Sequence, residues 1–343
     1  MKLFVAGPVN KDKYAAEIYK GDEIGHRETE FEDLFKSVKD KLYKIYRINK
    51  EEFDIAIIGG SGTCANETLL SSLVGPTMVI SNGAFGERLI KILDIHEQIV
   101  VEAKFQWGKE IDLNYVEKLM KNCYVSNVCM VHMETSTGML NPVNEVAKLC
   151  KKYNRTFIVD AVSSLGAERL DMKNIDFCVT NTNKGLGASP VLGIVACRRS
   201  KIKDLVRRSL YLDLGAYLKY GKFNQTPFTP QIPLFDILDK ALTGILEEGL
   251  ENRFERYRQN AKLMREGLKK LGFKFYLKSG YSNIMTNVLT KNFKRLHDEL
   301  KKKGYIVYAG KNELNGKVMH IANIGTINKE DVTKFLEVLK EIK

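Results

Sequence analysis

Between about residues 50 and 200, short apolar runs recur, each closed by polar or glycine-rich positions and separated by longer amphipathic stretches. The runs predict strands over 55–58, 77–81, 99–102, 128–132, 156–160, 177–180 and 192–196. The intervening stretches 114–121 and 142–153 read as helices, the second with Val143, Val146 and Leu149 at helical spacing. Strand, helix, strand at this rhythm predicts an α/β fold, with a mainly parallel seven-stranded sheet covered on both faces. Ligands of such sheets gather beyond the carboxyl ends of the strands.

The pattern changes over 221–233, where Thr226-Pro227-Phe228-Thr229-Pro230 holds too many prolines for a regular element and reads as a structured loop. From 234 to 271 the spacing predicts one long helix or two. The remainder alternates strand-like segments (274–277, 305–308, 318–322) with helical ones (293–303, 329–342), the order of a small α+β domain. The expected division is a large domain over 1–235, including the N-terminal segment, and a connecting helix with the small domain over 236–343.

Composition adds limits more than clues. A length of 343 residues favours one large and one smaller domain, and 44% hydrophobic with 28% charged residues is ordinary globular usage. No apolar run approaches the length of a membrane span, and the apolar start Met1–Pro8 is too short for a secretory leader. A cytoplasmic protein with no membrane partner is the expectation. The net charge of +12 comes from scattered lysines, such as Lys269-Lys270 and Lys301-Lys302-Lys303 on polar helix faces, without a basic stripe interleaved with aromatics. Nucleic acid is therefore not an expected partner. The six cysteines form no C-x-x-C and none pairs with His at ligand spacing, so they read as reduced thiols and no metal is expected.

The chemistry concentrates at two strand ends. The run 156–160 ends on Asp160, and the run 177–180 leads through Asn181-Thr182-Asn183 to Lys184, which opens a glycine-rich turn. A strand-terminal carboxylate and a strand-terminal amine are what an α/β enzyme needs to hold pyridoxal phosphate. The amine condenses with the aldehyde, and the carboxylate keeps the pyridine nitrogen protonated so that the ring withdraws electrons. Upstream, Gly59-Gly60-Ser61-Gly62-Thr63-Cys64-Ala65 follows a strand and precedes a helical segment over 66–73. It fits a dinucleotide fingerprint by spacing, but the next strand ends Ile80-Ser81-Asn82-Gly83, without the carboxylate a ribose needs. A monophosphate suits the loop better, and a plain tight turn stays open. Phe85, boxed by glycines, is placed to cover one face of a planar ring, and the hydroxyls of Thr135, Ser136 and Thr137 to meet a phenolate oxygen or to close a turn.

Taken together, Gly60-Ser61-Gly62, the run from Val79 to Gly86, Gly138-Met139-Leu140-Asn141-Pro142, the run from Ile158 to Ser164, Asn183-Lys184, the run from Arg208 to Leu214 and Asn323-Ile324-Gly325 resemble the class V aminotransferases. These are fold-type I pyridoxal-phosphate enzymes, and the resemblance runs through nearly the whole chain. It is nearest the branch that moves an amino group from 2-aminoethylphosphonate to pyruvate. The resemblance implies Lys184 as the Schiff-base lysine and proton shuttle, with Asp160 beside the pyridine nitrogen. It implies Phe85 and Val162 on the two ring faces, and Gly62, Thr63, Cys64 and Asn183 at the phosphate. Ser136 would contact the ring hydroxyl. Thr226 would reach the phosphate of a neighbouring subunit, which implies a homodimer with shared active sites. The substrates implied are a small primary amine and a 2-oxo acid.

One departure bears on the substrate. Where the family carries an anion-binding Arg ahead of Asn323-Ile324-Gly325, this chain has His320, which cannot copy a guanidinium's two-pronged grip. Arg27 and Lys311 are the candidates to replace it. The run Gly25-His26-Arg27 is more like the alanine- or serine-glyoxylate enzymes, and the changed anion position leaves a lyase or decarboxylase reaction open. A cysteine desulfurase is disfavoured because no cysteine follows Cys197. Retention of both Lys184 and Asp160 argues against a non-catalytic scaffold.

Overall fold

A computed structural model describes residues 2–5 and 24–343; half of the apolar start, and most of the N-terminal segment assigned above to the larger domain, lie outside them. All seven expected strands of the large sheet are present: β1 (Phe53–Gly59), β2 (Thr77–Ser81), β3 (Val100–Lys104), β4 (Asn127–Val131), β5 (Thr156–Asp160), β6 (Phe177–Asn181) and β7 (Leu192–Arg198). They are ordered β1-β7-β6-β5-β4-β2-β3, parallel except that β7 runs antiparallel to both neighbours. The carboxyl ends of β1, β2, β4, β5 and β6 consequently open on one rim.

Alternation along the strands feeds two apolar cores. Ile55, Ile57, Met78, Ile80, Phe157 and Val159 face one core, against helices α1 (Thr29–Tyr46) and α7 (Ile232–Glu248). Ala56, Ile58, Val79, Ile158 and Val179 face the other, against α2 (Gly62–Ser71), α3 (Ala84–Ile95) and α6 (Leu214–Gly221). Each large aliphatic or aromatic side chain so buried contributes about 1.5–3 kcal/mol, which makes the sheet a stiff platform for its rim. Helices α4 (Leu113–Asn122) and α5 (Val143–Lys152) also cover this part.

The stretch expected as one helix or two is two, α7 and α8 (Leu250–Lys270), broken at Gly249. Beyond it lies a three-stranded antiparallel sheet of β8 (Met285–Leu289), β9 (Tyr308–Ala309) and β10 (Val318–Ala322), with β10 in the middle. Helices α9 (Phe293–Lys302) and α10 (Lys329–Ile342) pack on it through a core that includes Leu296, Leu300, Val332, Phe335 and Leu339. Three local expectations change. The segment 274–277 forms no strand and meets β8 only in a Phe275–Val288 bridge. The run 305–308 is split, with Tyr305–Ile306 pairing in parallel with Lys2–Leu3 and β9 pairing with β10. The helix placed at 66–73 starts earlier, at Gly62.

Candidate active site

The rim of the large sheet and the edge of the small one enclose a cavity of about 290 Å³. Of the residues singled out in the sequence, Gly62, Thr63, Phe85, Ser136, Asp160, Val162, Lys184 and His320 all line it. Lys311 and Thr135, both also raised from the sequence, line it too, together with Asn66, Arg88, Asn181 and Tyr308, which the sequence did not point to.

Asp160 ends β5 with its carboxylate buried. Oδ1 accepts from Val162 N at 2.9 Å and Oδ2 from Asn66 Nδ2 at 2.7 Å. Burial raises its pKa above the usual carboxylate range, while these two donors and the positive charge of Lys184 and Arg88 oppose the rise. Lys184 follows β6 in a tight turn, and its Nζ donates to Ser163 Oγ at 3.0 Å. Burial pulls the Lys184 amine down to about 8, helped by Lys311 and Arg88 and resisted by Asp160 and Glu134. An amine that titrates near neutrality is a competent nucleophile and base, whereas an ordinary lysine is almost wholly protonated.

The glycine loop becomes the start of α2. Ser61 caps it, its Oγ accepting from Cys64 N at 3.3 Å. Gly62 and Thr63 stand in the first turn, where backbone N–H groups lack intrahelical acceptors and an anion is favoured. A side chain at position 62 would meet both methyls of Val162 at 2.8 Å. Gly62 therefore lets the helix start close against the wall that Val162 forms. Cys64 turns its thiol toward Gly59 O instead, at 3.9 Å.

Arg88 lies one helical turn beyond Phe85 on α3, a spacing that could have flagged it once Phe85 was chosen. Its Nη1 donates to Thr63 Oγ1 at 2.9 Å, and its guanidinium packs 4.7 Å from the Phe85 ring centre. Lys184 Nζ and Lys311 Nζ lie 5.1 and 4.4 Å from the same ring. Phe85 is fixed from behind by Glu134, whose buried Oε2 accepts from Phe85 N and Gly86 N, each at 3.1 Å. Its Oε1 accepts from Ser136 Oγ at 2.5 Å, and Ser136 Oγ in turn accepts from Ala84 N at 3.0 Å. The Ser136 hydroxyl proton thus points at Glu134.

On the far wall, β10 carries His320 between Asn287 of β8 and Tyr308 of β9. His320 is buried and its Nε2 has no partner among the described residues. Burial and the neighbouring Lys311 charge push it down to about 4, so at neutral pH it is an uncharged imidazole. Lys311 is lowered mainly by burial and then by Arg88; among the described residues it forms no ion pair.

Four of the residues singled out in the sequence lie off the cavity lining: Cys64, described above, and Asn183, Arg27 and Thr226. Asn183 accepts from Asn181 Nδ2 at 2.5 Å. Arg27 and Thr226 stand together elsewhere: Arg27 Nη1 donates to Gln225 Oε1 at 3.0 Å and to Thr226 O at 3.1 Å. Thr226 Oγ1 is engaged with Phe228 O at 2.7 Å.

Comparison with known proteins agrees with this geometry. The family described as aminotransferase class-V matches residues 12–312. The chain is 30% identical to a 2-aminoethylphosphonate–pyruvate transaminase of Lysinibacillus sphaericus, over 99% of this chain and 96% of that one. It is 32% identical to a 2-aminoethylphosphonate–pyruvate transaminase of Phocaeicola vulgatus, over 90% of each. The crystal structure of a subgroup IV aspartate aminotransferase from Thermus thermophilus superimposes with a TM-score of 0.91 and 25% identity, over the full length of both.

Proposed function

The chain belongs to the class V aminotransferases, pyridoxal-phosphate-dependent transaminases of fold type I, and from that footing we propose that it takes its amino group from a small amine bearing an anionic group, best matched by 2-aminoethylphosphonate, and passes it to a 2-oxo acid such as pyruvate. The observation that carries this reading is Lys311, an ammonium that faces the cavity without an ion-pair partner among the described residues, beside the unpartnered Nε2 of His320. A neutral imidazole supplies a single hydrogen bond and Lys311 a point charge, where a guanidinium would grip in two places. We assign Lys311 and His320 to the substrate's anionic end.

The residues present fit the cofactor. A side chain at Gly62 would fill the space against Val162, and Asn66 Oδ1 and Asn181 Oδ1, on cavity-lining side chains, are buried acceptors without a donor, as in a site shaped around a bound polar group. We assign its phosphate to the first turn of α2, with Thr63, Cys64, Arg88 and Asn183 around it, its ring to the slot between Phe85 and Val162, and its hydroxyl to Ser136 or Thr135. When bound, the cofactor supplies an aldehyde to capture the substrate amine and a ring that draws electrons from the adjacent carbon. The protein does the rest. Asp160 keeps a negative charge at the ring nitrogen. Lys184 Nζ, neutral for a sizeable fraction of the time, takes the proton from the substrate's amino-bearing carbon. Phe85, immobilised by Glu134, prevents the ring from swinging away.

The titration of Lys184 has a direct consequence. Below about pH 8 the amine is protonated and cannot attack an aldehyde, so attachment of pyridoxal phosphate to the apoprotein should quicken with pH up to about 8 and level off above. Stopped-flow absorbance measures this, and a rate still climbing at pH 10 would contradict the lowered amine.

Arg27 and Thr226 enter the same reading as a pair. We assign the segment that binds them together to the active site of a second copy, Thr226 toward its phosphate and Arg27 toward its substrate, in a homodimer. Six free cysteines fit a reducing, cytoplasmic setting.

The substrate assignment is tested by adding excess 2-aminoethylphosphonate, without oxo acid, to the cofactor-loaded protein. Loss of the visible lysine–cofactor absorbance is expected, with Lys311→Met requiring at least about tenfold more amine, as for one lost charge-assisted contact. If alanine or serine discharges the absorbance and the phosphonate does not, the donor is a carboxylate amine of the glyoxylate-enzyme type. If none of the three does, a lyase or decarboxylase takes the place of transfer from these donors.

A further inference from the structure

Two arginines outside the cavity hold both of its walls. Glu248 ends α7, and its carboxylate pairs with Arg253 Nη1 at 2.7 Å and Arg256 Nε at 2.6 Å. Arg253 is buried, its Nε donating to Gly166 O at 2.9 Å and its Nη2 to Gly185 O at 3.0 Å. Gly185 is the residue after Lys184, and Gly166 lies in the turn that follows Asp160. One guanidinium therefore spans the two turns that carry the reactive amine and the ring-nitrogen carboxylate. The turns themselves pack backbone against backbone, since a side chain at Gly185 would run into Leu165 O. Their spacing is set by main-chain contact and by the fork of Arg253.

Arg256 serves the opposite wall. Its Nη1 donates to Gly325 O at 3.1 Å and Ile327 O at 3.0 Å, just beyond the strand that bears His320. Between the two arginines stands Tyr257, fully buried, with the guanidinium carbons 5.2 and 4.6 Å from its ring centre. Its hydroxyl donates to Gly325 O and accepts from Gly325 N, both at 3.2 Å. A single carboxylate thus joins an arm reaching the Lys184 turn to an arm reaching the His320 strand.

We propose that Arg253, oriented by Glu248, is a positioning residue for Lys184, and that Arg256 extends the same registration to His320. The distance across the cavity is then set from the start of α8. A purely stabilising arginine would also fill this place, but it would not be expected to act on the Lys184 turn apart from the rest of the fold. The proposal rests on Lys184 being the reactive amine.

The test compares Arg253→Lys and Glu248→Gln with the unaltered full chain. Lysine reaches one carbonyl where arginine reaches two, so turnover by the cofactor-loaded Arg253→Lys protein should fall roughly tenfold to a hundredfold with KM within about twofold. In the apoprotein, amide hydrogen exchange over 182–190 should quicken while strand β2 is unaffected. Glu248→Gln keeps both carbonyl contacts and removes the charge that aims them, so it should move both readouts the same way by less. If Arg253→Lys fails to fold, Glu248→Gln alone decides between the two roles. Unchanged turnover and exchange, or a lower melting temperature with turnover per folded molecule intact, overturns the proposal. An unaltered chain that never captures the aldehyde overturns the Lys184 assignment instead.

Discussion

Lys184→Ala removes turnover, by on the order of 10⁵-fold or more as for other nucleophile deletions, and leaves the fold in place. The substitution deletes the Nζ that donates to Ser163 Oγ and lies 5.1 Å from the Phe85 ring centre. Another cavity-lining amine, Lys311, sits over the same ring but belongs to the opposite wall and does not replace the atom that Ser163 holds. The cost to stability is small because two effects oppose. One hydrogen bond is lost, about 1 kcal/mol, and the penalty of burying an amine that is partly charged at neutral pH disappears with it. Melting temperature should therefore stay within a few degrees, and the visible absorbance of the lysine–cofactor species should be absent. Measurable turnover above about a thousandth of the original rate in a folded, cofactor-supplied variant would sink the assignment of Lys184.

How far the chain could be read in advance depended on the range of the interaction. The seven strands of the large sheet are local signals, apolar runs with polar ends, and each residue of β2, β4 and β6 is buried as such runs imply. Asp160 and Lys184 are local as well, since strand-terminal position is legible without knowing what lies opposite. Strand β8 escaped notice because Thr286 and Asn287 interrupt its apolar character; both are buried by neighbouring elements that a local window does not contain. The segment 274–277 shows the reverse, since Phe275 and Leu277 alternate correctly yet only one bridge to β8 forms. Contacts distant in sequence were the least legible. Glu134 reaches the backbone of Phe85 across 49 residues, and Arg253 reaches Gly185 across 68. Nothing in the residues around Phe85 or Lys184 predicts these partners. The identity of the site was thus written at strand ends, while its rigidity is supplied by groups recruited from elsewhere in the fold.

Asp160→Asn separates function from stability at the neighbouring strand end. Turnover should fall by roughly 10²–10³-fold, the size associated with removing one preorganised electrostatic contact from an active site, because a neutral amide cannot hold the positive charge of a protonated ring nitrogen. The fold accommodates the change through Asn66. At present Asn66 Nδ2 donates to Asp160 Oδ2 at 2.7 Å while Asn66 Oδ1 is buried without a partner. Rotation of the Asn66 amide would present that oxygen to the new side-chain amide, and Val162 N would keep its acceptor. Since burial raises the Asp160 carboxyl above its ordinary value, its ionised form at neutral pH opposes folding, and the opposition ends when the charge is removed. The apoprotein should accordingly melt at the same temperature or higher. A second readout follows from charge coupling. Asp160 helps to hold the Lys184 amine up, so in the variant the pH at which aldehyde capture levels off should move below about 8. Turnover within tenfold of the original would refute the role of Asp160, and an unmoved capture profile would refute its electrostatic link to Lys184.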